Sequence, residues 1–475
     1  MVDDMGWSDI GPYGGEVITP NLDRLAREGM RFTQFYNNAK CTTTRASLVT
    51  GLYPRRDKKD TELLRTNMVT LGEVLKDAGY QTALSGKWHL GREETHHPHK
   101  RGFDEYYGLL DGCSNFFNPN IQDPPYKGSN FRYFGQNETR ITEFPDDFYA
   151  TNAFTDHAIQ TMNAFSEKEA PFFLHLCYTA PHYPIHALPE DIAKYKGKYK
   201  MGWDELRKQR YERQVKMGLV DSTTMKLSEG ESRSYAWEDS DQEFEDLRMA
   251  VYAAMIDRVD QNIGRLLTSL EELGEADNTL IMFLSDNGGC AEEPGGRNPE
   301  ERNPGPKDDY VAVGPAWGWA QNAPFRRYKV WMHEGGISTP FIAWWPGKIP
   351  ANALTSEVGH IIDIMPTLVE LGQGAYPKIY NENAILPVEG KSLLPLLKGG
   401  QREAHEALFW EYSGNRAMRK GDWKLVWDKL VKEWELYDLA KDRTETQNLA
   451  LEHPDRVDEM ISSWKGWADE TGVRY

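Results

Sequence analysis

Apolar runs of strand length alternate along the chain with segments whose apolar residues recur at helical spacing. Residues 81–85, 171–179, 279–285 and 340–345 predict strands, and their continuous apolar character is typical of strands covered on both faces. Residues 247–273 have apolar side chains at helical spacing and lead into a glycine, which predicts a long helix. The alternation predicts an α/β fold with a mainly parallel sheet sandwiched by helices.

Two shorter helices have recognisable ends. Pro20 follows Thr19, and Gly29 closes the segment, so a helix is predicted between them. Thr70 and Glu73 have the spacing of a capping box, which predicts that a further helix starts there.

The character of the sequence changes in its last fifth. Residues 408–412, 423–427 and 434–437 predict short antiparallel strands, and an amphipathic segment after them predicts a closing helix. We therefore expect a main domain over residues 1–385 and a small C-terminal α+β subdomain over residues 386–475.

Composition narrows the classes of partner. The chain has 475 residues, enough for a large core, and a formal net charge of -18. An acidic chain repels phosphate backbones, so no nucleic acid partner is expected. No apolar run is long enough for a transmembrane segment, and the 4 cysteines form no Cys-x-x-Cys pair of the zinc or redox type. A small anionic substrate stays compatible, because it needs only a local cluster of cations.

Metal-binding residue types stand at two points where loops are expected to meet. Asp3 and Asp4 lie near the start of the chain, and Asp286 and Asn287 directly follow the strand predicted over residues 279–285. Open parallel sheets bind ligands beyond the carboxyl ends of their strands, so these loops can bring together three carboxylates and an amide oxygen. Hard oxygen ligands without His or Cys suit calcium or magnesium rather than zinc.

The most informative segment begins at Cys41. Arg45 follows four residues later and leads into Ala-Ser-Leu-Val-Thr-Gly. This segment resembles the signature of the type I, formylglycine-dependent sulfatases, arylsulfatase-like members of the alkaline-phosphatase superfamily. The usual family pattern is Cys-x-Pro/Ala-x-Arg, and Thr43 stands at the middle position here. In the family a maturation enzyme oxidises the cysteine to formylglycine, whose hydrated aldehyde is the nucleophile.

Further blocks in the family's order extend the resemblance over nearly the whole chain. The hexapeptide Gly-Lys-Trp-His-Leu-Gly contains Lys87, implied to bridge sulfate and nucleophile, and His89, implied to hydrogen-bond the formylglycine. Because these two residues are two apart, an extended backbone would point both to one side. His182 stands in a Pro-His-x-Pro block and is implied to contact the sulfate near the leaving group. Lys329 precedes a Glu-Gly-Gly sequence and corresponds to a second sulfate-binding lysine.

The resemblance also implies a cofactor, a fold and a partner. Asp3, Asp4, Asp286 and Asn287 match the family's metal site, where the ion is usually calcium and also contacts the formylglycine formed from Cys41. Magnesium is the alternative ion. The implied fold is alkaline-phosphatase-like, and the implied protein partner is a formylglycine-generating maturation enzyme.

The chemistry of a sulfate monoester accounts for these residue types. The tetrahedral anion resists anionic nucleophiles, and Arg45, Lys87 and Lys329 would neutralise it together with the metal ion. Asp286 is placed to take a proton from the nucleophile. His182 and Lys329 are expected to protonate the leaving oxygen. The expected activity is hydrolysis of sulfate monoesters, which are aryl sulfates in vitro and a sulfated carbohydrate in nature.

Other interpretations of the sequence stay open. A phosphonate monoester or phosphodiester hydrolase would share the fold and the formylglycine. Thr43 and the apparent loss of the first strand motivate a non-catalytic, anion-binding relative. A two-zinc phosphatase is less favoured, because no second cluster of Asp and His ligands is apparent in the sequence. The carbohydrate expectation rests on tryptophans that would either stack on a sugar ring or pack loops, namely Trp203, Trp237, Trp317 and Trp319.

The first residues of the chain bear on its location. The start, Met-Val-Asp-Asp, has neither a charged n-region nor an apolar h-region, so no secretory signal is predicted. An apolar strand normally precedes the Asp-Asp pair in the family, so we expect the chain to be truncated at its N-terminus. A periplasmic or secreted location is expected from the family alone, and the sequence itself leaves the location unknown.

Overall fold

The computed structural model of the protein describes residues 1–54, 64–230 and 236–473. Its strands, in chain order, are Met30–Phe32 (β1), Phe35–Tyr36 (β2), Gln81–Lys87 (β3), Glu105–Leu109 (β4), Phe134–Gln136 (β5), Thr139–Ile141 (β6), Phe172–Cys177 (β7), Ile281–Leu284 (β8), Phe341–Trp344 (β9), Ala353–Thr355 (β10), Gly359–His360 (β11), Ile379–Tyr380 (β12), Asn383–Ala384 (β13), Leu408–Tyr412 (β14), Asn415–Lys420 (β15), Trp423–Asp428 (β16) and Glu433–Asp438 (β17). Its α-helices are Pro20–Glu28 (α1), Cys41–Thr50 (α2), Leu71–Asp77 (α3), Ala150–Ser166 (α4), Pro189–Ile192 (α5), Gly202–Lys216 (α6), Gln242–Glu272 (α7), Pro315–Ala320 (α8), Glu334–Ile337 (α9), Ile364–Leu371 (α10), Leu394–Leu397 (α11) and Pro454–Thr471 (α12).

The first three residues join two sheets into one continuous β structure. One sheet has the order β6-β5-β4-β3-β7 and the other the order β10-β1-β9-β8. Val2 forms a parallel bridge with Ser285 beyond β8, and the Met1 carbonyl oxygen accepts a 3.0 Å hydrogen bond from Tyr178 N beyond β7. The segment that precedes the Asp-Asp pair therefore lies between the two halves of the sheet.

The predicted parallel character holds for the neighbouring strands β4, β3 and β7, and both sheets are mixed. β3 pairs in parallel with both β4 and β7. In the same sheet β5 runs antiparallel to both β4 and β6. In the other sheet β9 runs antiparallel to both β1 and β8. An apolar run buried on both faces carries no information about strand direction, which explains this difference.

Helices cover both faces of the sheet. Ile342 of β9 belongs to the hydrophobic core that contains α7, α1 and α4. Its neighbours Phe341 and Ala343 belong to a second core that contains α2, α3 and α10. Successive strand residues point to opposite faces, so β9 is packed by helices on each side and the predicted sandwich is confirmed. In the described part of the chain, no helix combines the length and apolar character needed to cross a bilayer.

An apolar cavity of about 640 Å³ lies between β7 and β8, past Met1. Its lining includes Leu174 and Leu176 of β7 and Ile281 of β8. The Met1 ammonium group is buried at its edge and donates to the Leu176 carbonyl oxygen at 2.8 Å. Burial lowers the pKa of this ammonium. None of the predicted site residues lines the cavity, so it is a feature of the sheet and not of the site.

The local signals for helices and strands are largely confirmed. α1 begins at Pro20, and the capping box is present, since the Thr70 side chain accepts from Glu73 N while Glu73 accepts from Thr70 N. The four predicted strands appear as β3, β7, β8 and β9, and the long helix α7 starts several residues earlier than predicted.

The C-terminal strands form a separate antiparallel sheet with the order β14-β15-β16-β17. The helix α12 packs against β15 and β16, and the Trp464 indole donates to the Trp410 carbonyl oxygen at 3.1 Å. The sequence patterns predicted β14, β16 and β17 but missed β15. The segment Asn415–Lys420 is mostly polar, and only its pairing with both neighbours makes it a strand.

Buried ion pairs hold this sheet against the rest of the molecule. The Lys424 ammonium is 2.8 Å from Oε1 of Glu334 and 2.8 Å from Oε1 of Glu445, and the Arg443 guanidinium is 3.0 Å from Oε2 of Glu334. Glu334 opens α9, five residues after Lys329. The C-terminal sheet is thereby tied to the segment that presents a predicted site lysine.

Candidate active site

The predicted site residues converge where the central strands end. Asp4 follows the segment between β7 and β8, Asp286 follows β8, Lys87 ends β3 and His182 follows β7. These positions lie at the carboxyl edge of parallel neighbours, where open α/β sheets bind ligands. Cys41 comes to the same place at the start of α2.

Acidic and amide oxygens form the floor of the site. Asn287 Nδ2 donates to Asp4 Oδ1 at 2.7 Å, and Asp4 N donates to Asp286 Oδ1 at 3.3 Å. Asp3, Asp4, Asp286 and Asn287 are all buried. Among the described residues, nothing donates a hydrogen bond to Asp3 Oδ1 or Asn287 Oδ1. Buried acceptors without donors are costly, so these two oxygens fit a bound cation.

The donor set fits a hard divalent ion. Ligand atoms of Asp3, Asp4 and His182 lie within 4.8 Å of one another. Two members of this group are carboxylates, and the amide oxygen of the neighbouring Asn287 adds to them the oxygen ligands that calcium and magnesium prefer. Burial and the neighbouring Asp286 raise the pKa of Asp3 to about 7, with Lys87 acting in the opposite direction. A bound divalent cation would offset this repulsion between neighbouring carboxylates.

Three buried cations face the acids. The Arg45 guanidinium is 2.7 Å from Asp286 Oδ2 and donates to the Lys87 carbonyl oxygen at 2.8 Å. The Lys87 ammonium donates to Asp3 Oδ2, and the Lys329 ammonium lies 2.7 Å from Asp4 Oδ1. A preformed group of cations in a buried site is suited to a small oxyanion.

Cys41 occupies the first turn of α2 and is buried. Arg45 lies one turn further along the same helix, so both side chains share a face. The helix N-terminus adds a partial positive charge beside Cys41. Thr43, the departure from the usual signature, lies 2.9 Å from the carbonyl oxygens of Asn38 and Lys40 and donates to them, which fixes the turn that leads into α2.

His89 does not lie in extended backbone, so the predicted reason for its orientation is wrong. β3 ends at Lys87, and His89 has a φ of 62°, in the left-handed region. Burial, reinforced by Lys87 and Arg45, holds the pKa of His89 well below its usual value, so the imidazole is neutral near pH 7. A turn, rather than strand alternation, brings His89 close to the cations.

His182 and Lys329 share the Asp4 carboxylate. His182 Nε2 is 3.4 Å from Asp4 Oδ2, and Nδ1 contacts the Tyr183 carbonyl oxygen. Burial lowers the pKa of His182 well below its usual value, although Asp4 opposes the shift. Burial also acts against the Lys329 ammonium, but Asp4 together with Glu292 and the neighbouring cysteines outweighs it and raises the pKa of Lys329. Near pH 7, Lys329 is therefore the positively charged member of this pair and His182 the neutral one.

Two family models match the chain. Residues 1–375 match the sulfatase family, and residues 325–463 match the C-terminal region of N-sulphoglucosamine sulphohydrolase. The chain belongs to the sulfatase family. It is a sulfuric ester hydrolase with the alkaline-phosphatase-like fold, and sulfatases generally use a metal ion and a formylglycine nucleophile.

Known proteins resemble this sulfatase over most of its length. An arylsulfatase of Klebsiella aerogenes is 34% identical over 421 residues, which cover 83% of this chain and 90% of the relative. The human N-acetylgalactosamine-6-sulfatase is 29% identical, covering 95% of this chain and 74% of the relative. The solved structure of Ps i-CgsB in complex with k-i-k-neocarrahexaose superimposes with a TM-score of 0.72 at 26% identity, covering 98% of this chain and 91% of that one.

A double glycine shapes the segment of the sulfatase that presents Lys329. A Cβ atom at Gly335 would lie 2.3 Å from the Arg326 carbonyl oxygen, and one at Gly336 would lie 2.0 Å from that of Trp331. Backbone cannot move aside as a flexible side chain can, so only glycine allows this close approach. The Glu-Gly-Gly sequence therefore packs against the loop that holds Lys329.

The tryptophans expected either to stack on a sugar or to pack loops lie against other aromatic rings of the protein. Trp203 lies edge-on to Trp237 and Trp317, with ring centroids 4.9 and 5.6 Å apart. Trp319 is buried against Tyr328, 6.1 Å between centroids. Burial favours the packing interpretation for Trp203, Trp317 and Trp319, whereas Trp237 is half-buried.

Two residues at the site were missed by the sequence analysis. The Lys40 ammonium lies 3.4 Å from Glu292 Oε1, which is also 3.9 Å from the Lys329 ammonium. The position of Lys40, directly before Cys41, is a signal that could have found it. Glu292 comes from an irregular loop, where the sequence has no periodic signal.

The described residues contain one further group with metal-ligand atoms, formed by His333, Asp428 and Glu435. His333 Nε2 is 2.7 Å from Glu435 Oε2, and the Arg327 guanidinium is 2.7 Å from Asp428 Oδ2. Burial acts against the Glu435 carboxylate, but His333 and Arg326 outweigh it and hold its pKa at about 2. Cations of the protein already balance these acids, so the group is an ion-pair network and gives no support to a two-zinc phosphatase.

Proposed function

We propose that this sulfatase cleaves sulfate monoesters with a formylglycine formed from Cys41. The observation that supports this most directly is the position of Cys41 at the start of α2, in the same buried site as Arg45, Lys87 and Lys329. Formylglycine at this position would supply a geminal diol, one hydroxyl of which attacks sulfur while the other allows sulfate to be released.

The cations of the chain would bind and neutralise the sulfate group. Arg45, Lys87 and Lys329 are buried, and in the described structure each is paired with a carboxylate of the floor. A divalent ion bound to those carboxylates would compete for them and leave the lysines free to contact sulfate oxygens. The carboxylates would thus pair with the metal ion, and the lysines with the sulfate, when both are bound.

Proton transfers fall to groups already placed at the site. Asp286 is proposed to accept the proton of the attacking hydroxyl, and His182 with Lys329 to protonate the leaving oxygen. His89 is neutral near pH 7, so it can accept a hydrogen bond from the nucleophile without adding charge. Each role requires contact with the reacting atoms, which variants of single residues can test.

We propose calcium as the ion, with Asp3, Asp4, Asp286, Asn287 and the modified Cys41 as its ligands, and magnesium as the alternative. The oxygen atoms of Asp3 and Asn287 that lack donors support an oxygen-liganded cation. The ion would supply Lewis-acid polarisation and lower the pKa of a hydroxyl beside it.

A sulfated carbohydrate is the proposed natural substrate. Support comes from similarity to Ps i-CgsB, whose solved complex contains k-i-k-neocarrahexaose, and to N-acetylgalactosamine-6-sulfatase. Action in the periplasm or outside the cell is proposed because members of the family are usually found there. Maturation would require a formylglycine-generating enzyme as a partner.

The mass of the tryptic peptide from Cys41 to Arg45 tests the proposal. Protein co-expressed with a formylglycine-generating enzyme is expected to carry the aldehyde and to hydrolyse an aryl sulfate far faster than an aryl phosphonate. Cys41→Ala is the matched control, with an intact fold and no turnover. Unmodified Cys41 in folded, active protein would overturn the mechanism, and faster turnover of the phosphonate would identify a phosphonate hydrolase.

A further inference from the structure

A partly exposed carboxylate, that of Glu292, stands at the solvent side of the buried cations. Its Oε1 is 3.4 Å from the Lys40 ammonium and 3.9 Å from the Lys329 ammonium. The Lys329 side chain is 0% exposed, whereas that of Glu292 is 39% exposed. A sulfate held at Lys329 must extend its alcohol portion towards solvent, and Glu292 lies on that side.

Glu292 is held as an anion. Burial opposes its ionisation, but Lys329 and Lys40 outweigh burial and hold the pKa of Glu292 at about 2. The Tyr183 hydroxyl donates to Oε2 of Glu292 and itself accepts a 3.0 Å hydrogen bond from the Lys127 ammonium. Near neutral pH, an incoming substrate therefore meets a fixed negative acceptor.

A carboxylate beside a sulfate-binding lysine weakens the attraction of the site for every sulfate ester. The same carboxylate accepts a hydrogen bond from a neighbouring donor and repels a neighbouring anion, so it can separate one alcohol portion from another. Glu292 thus weakens the binding of all sulfate esters but discriminates between those with a neighbouring hydroxyl and those with a neighbouring anion.

We propose that Glu292 is a specificity-determining residue, which favours esters with a free hydroxyl beside the sulfate and rejects esters with a second anionic group there. This inference rests on the proposed sulfatase mechanism. The preferred substrate is then an ester whose sulfated sugar unit carries no second charged group and has a free hydroxyl next to the sulfate.

Three substrates separate the possibilities in matured enzyme. The first is an aryl sulfate without a neighbouring hydroxyl, and the second is a monosulfated sugar with a free hydroxyl beside the ester. In the third, that hydroxyl is a carboxymethyl ether, a second anion that the enzyme cannot hydrolyse. Glu292→Gln removes the charge with little change of shape. Glu293→Gln is the matched control, because Glu293 pairs with Arg248 at 2.8 Å.

Wild-type enzyme is expected to prefer the hydroxyl-bearing sugar over its carboxymethyl ether. Glu292→Gln should reduce this preference in kcat/KM at least tenfold, and should lower the rate on the free sugar relative to the aryl sulfate by about tenfold. Glu293→Gln should leave both ratios unchanged.

Two results would overturn the inference. If Glu292→Gln lowered kcat/KM equally on all three substrates, Glu292 would only position Lys329. A wild-type ratio near one between the two sugars would show that the carboxylate selects nothing, while aryl sulfate turnover left the sulfatase mechanism intact. Absence of aryl sulfate turnover in protein that carries formylglycine would instead remove the proposed function, and this inference with it.

Discussion

The α-carbon of Gly112 lies against the imidazole of His89. A Cβ atom at position 112 would fall 2.6 Å from both Cε1 and Nε2 of that ring. His89 is itself fixed by a left-handed backbone and by the hydrogen bond from its N–H to the Leu110 carbonyl oxygen, 3.2 Å long. The position of the ring therefore depends on the absence of a side chain at Gly112.

Gly112→Ala should lower kcat/KM on an aryl sulfate by roughly a hundredfold, because a shift of about 1 Å in a catalytic group has an effect of this size. The melting temperature should change little, since the clash is with a side chain that can rotate away. Gly466→Ala is the matched control, because a Cβ atom there has no neighbour within 4 Å. Full activity of Gly112→Ala would show that His89 is not needed at its present position.

Removal of divalent ions should abolish turnover and lower the melting temperature. The ion binds the folded protein, so saturation at about a hundred times its dissociation constant stabilises the fold by roughly 2.7 kcal/mol. Calorimetric titration of chelator-treated protein with calcium and with magnesium gives both affinities. Unchanged stability and the absence of a binding isotherm would contradict the metal site.

Glu334→Gln should destabilise the protein by about 3–5 kcal/mol, as removal of one partner from a buried ion pair does. Lys424 and Arg443 would each lose a carboxylate within about 3 Å and would remain as buried cations. Urea unfolding followed by circular dichroism measures the change. A loss below about 1 kcal/mol would mean that the network adds little to the attachment of the C-terminal sheet.

The same residue gives the stability a dependence on acid pH. Burial acts against the Glu334 carboxylate, but Lys424 and Arg443 outweigh it and lower its pKa from an ordinary 4.5 to about 2. Because the folded-state pKa is depressed, the stabilisation is complete above pH 4.5 and is lost as pH falls towards 2. Unfolding free energies measured across this window should fall more steeply in the wild type than in Glu334→Gln. Parallel curves would contradict the assignment.

An apolar strand joined to the N-terminal side of Met1 should stabilise the protein. It would fill the cavity between β7 and β8 and replace the buried ammonium of Met1 by a peptide bond. Each aliphatic side chain that it buries contributes about 1.5–3 kcal/mol. Five apolar β-branched residues should raise the melting temperature more than a Gly-Ser extension of equal length, which replaces the ammonium but does not fill the cavity. Equal melting temperatures would show that the cavity does not accept a strand.

Local sequence patterns determined several central strands, the ends of some helices and the identity of the residues that meet at the site. A capping box or an apolar run is decided by neighbours within a few residues, which is why α1, α3, β7 and β8 could be predicted. The family blocks around Cys41 and Lys87 likewise carry their information in short, continuous segments.

Contacts between distant segments decided the rest, because no periodicity along the chain records them. Only the tertiary structure shows Val2 paired with Ser285, and β9 antiparallel between its neighbours. Only long-range packing makes Trp203 and Trp317 core residues, and only the fold brings Glu292 beside a lysine 37 positions away. The sequence thus determined which chemical groups the site contains, and the tertiary structure decided which carboxylates and cations face one another, because pairing of charges depends on distance in space.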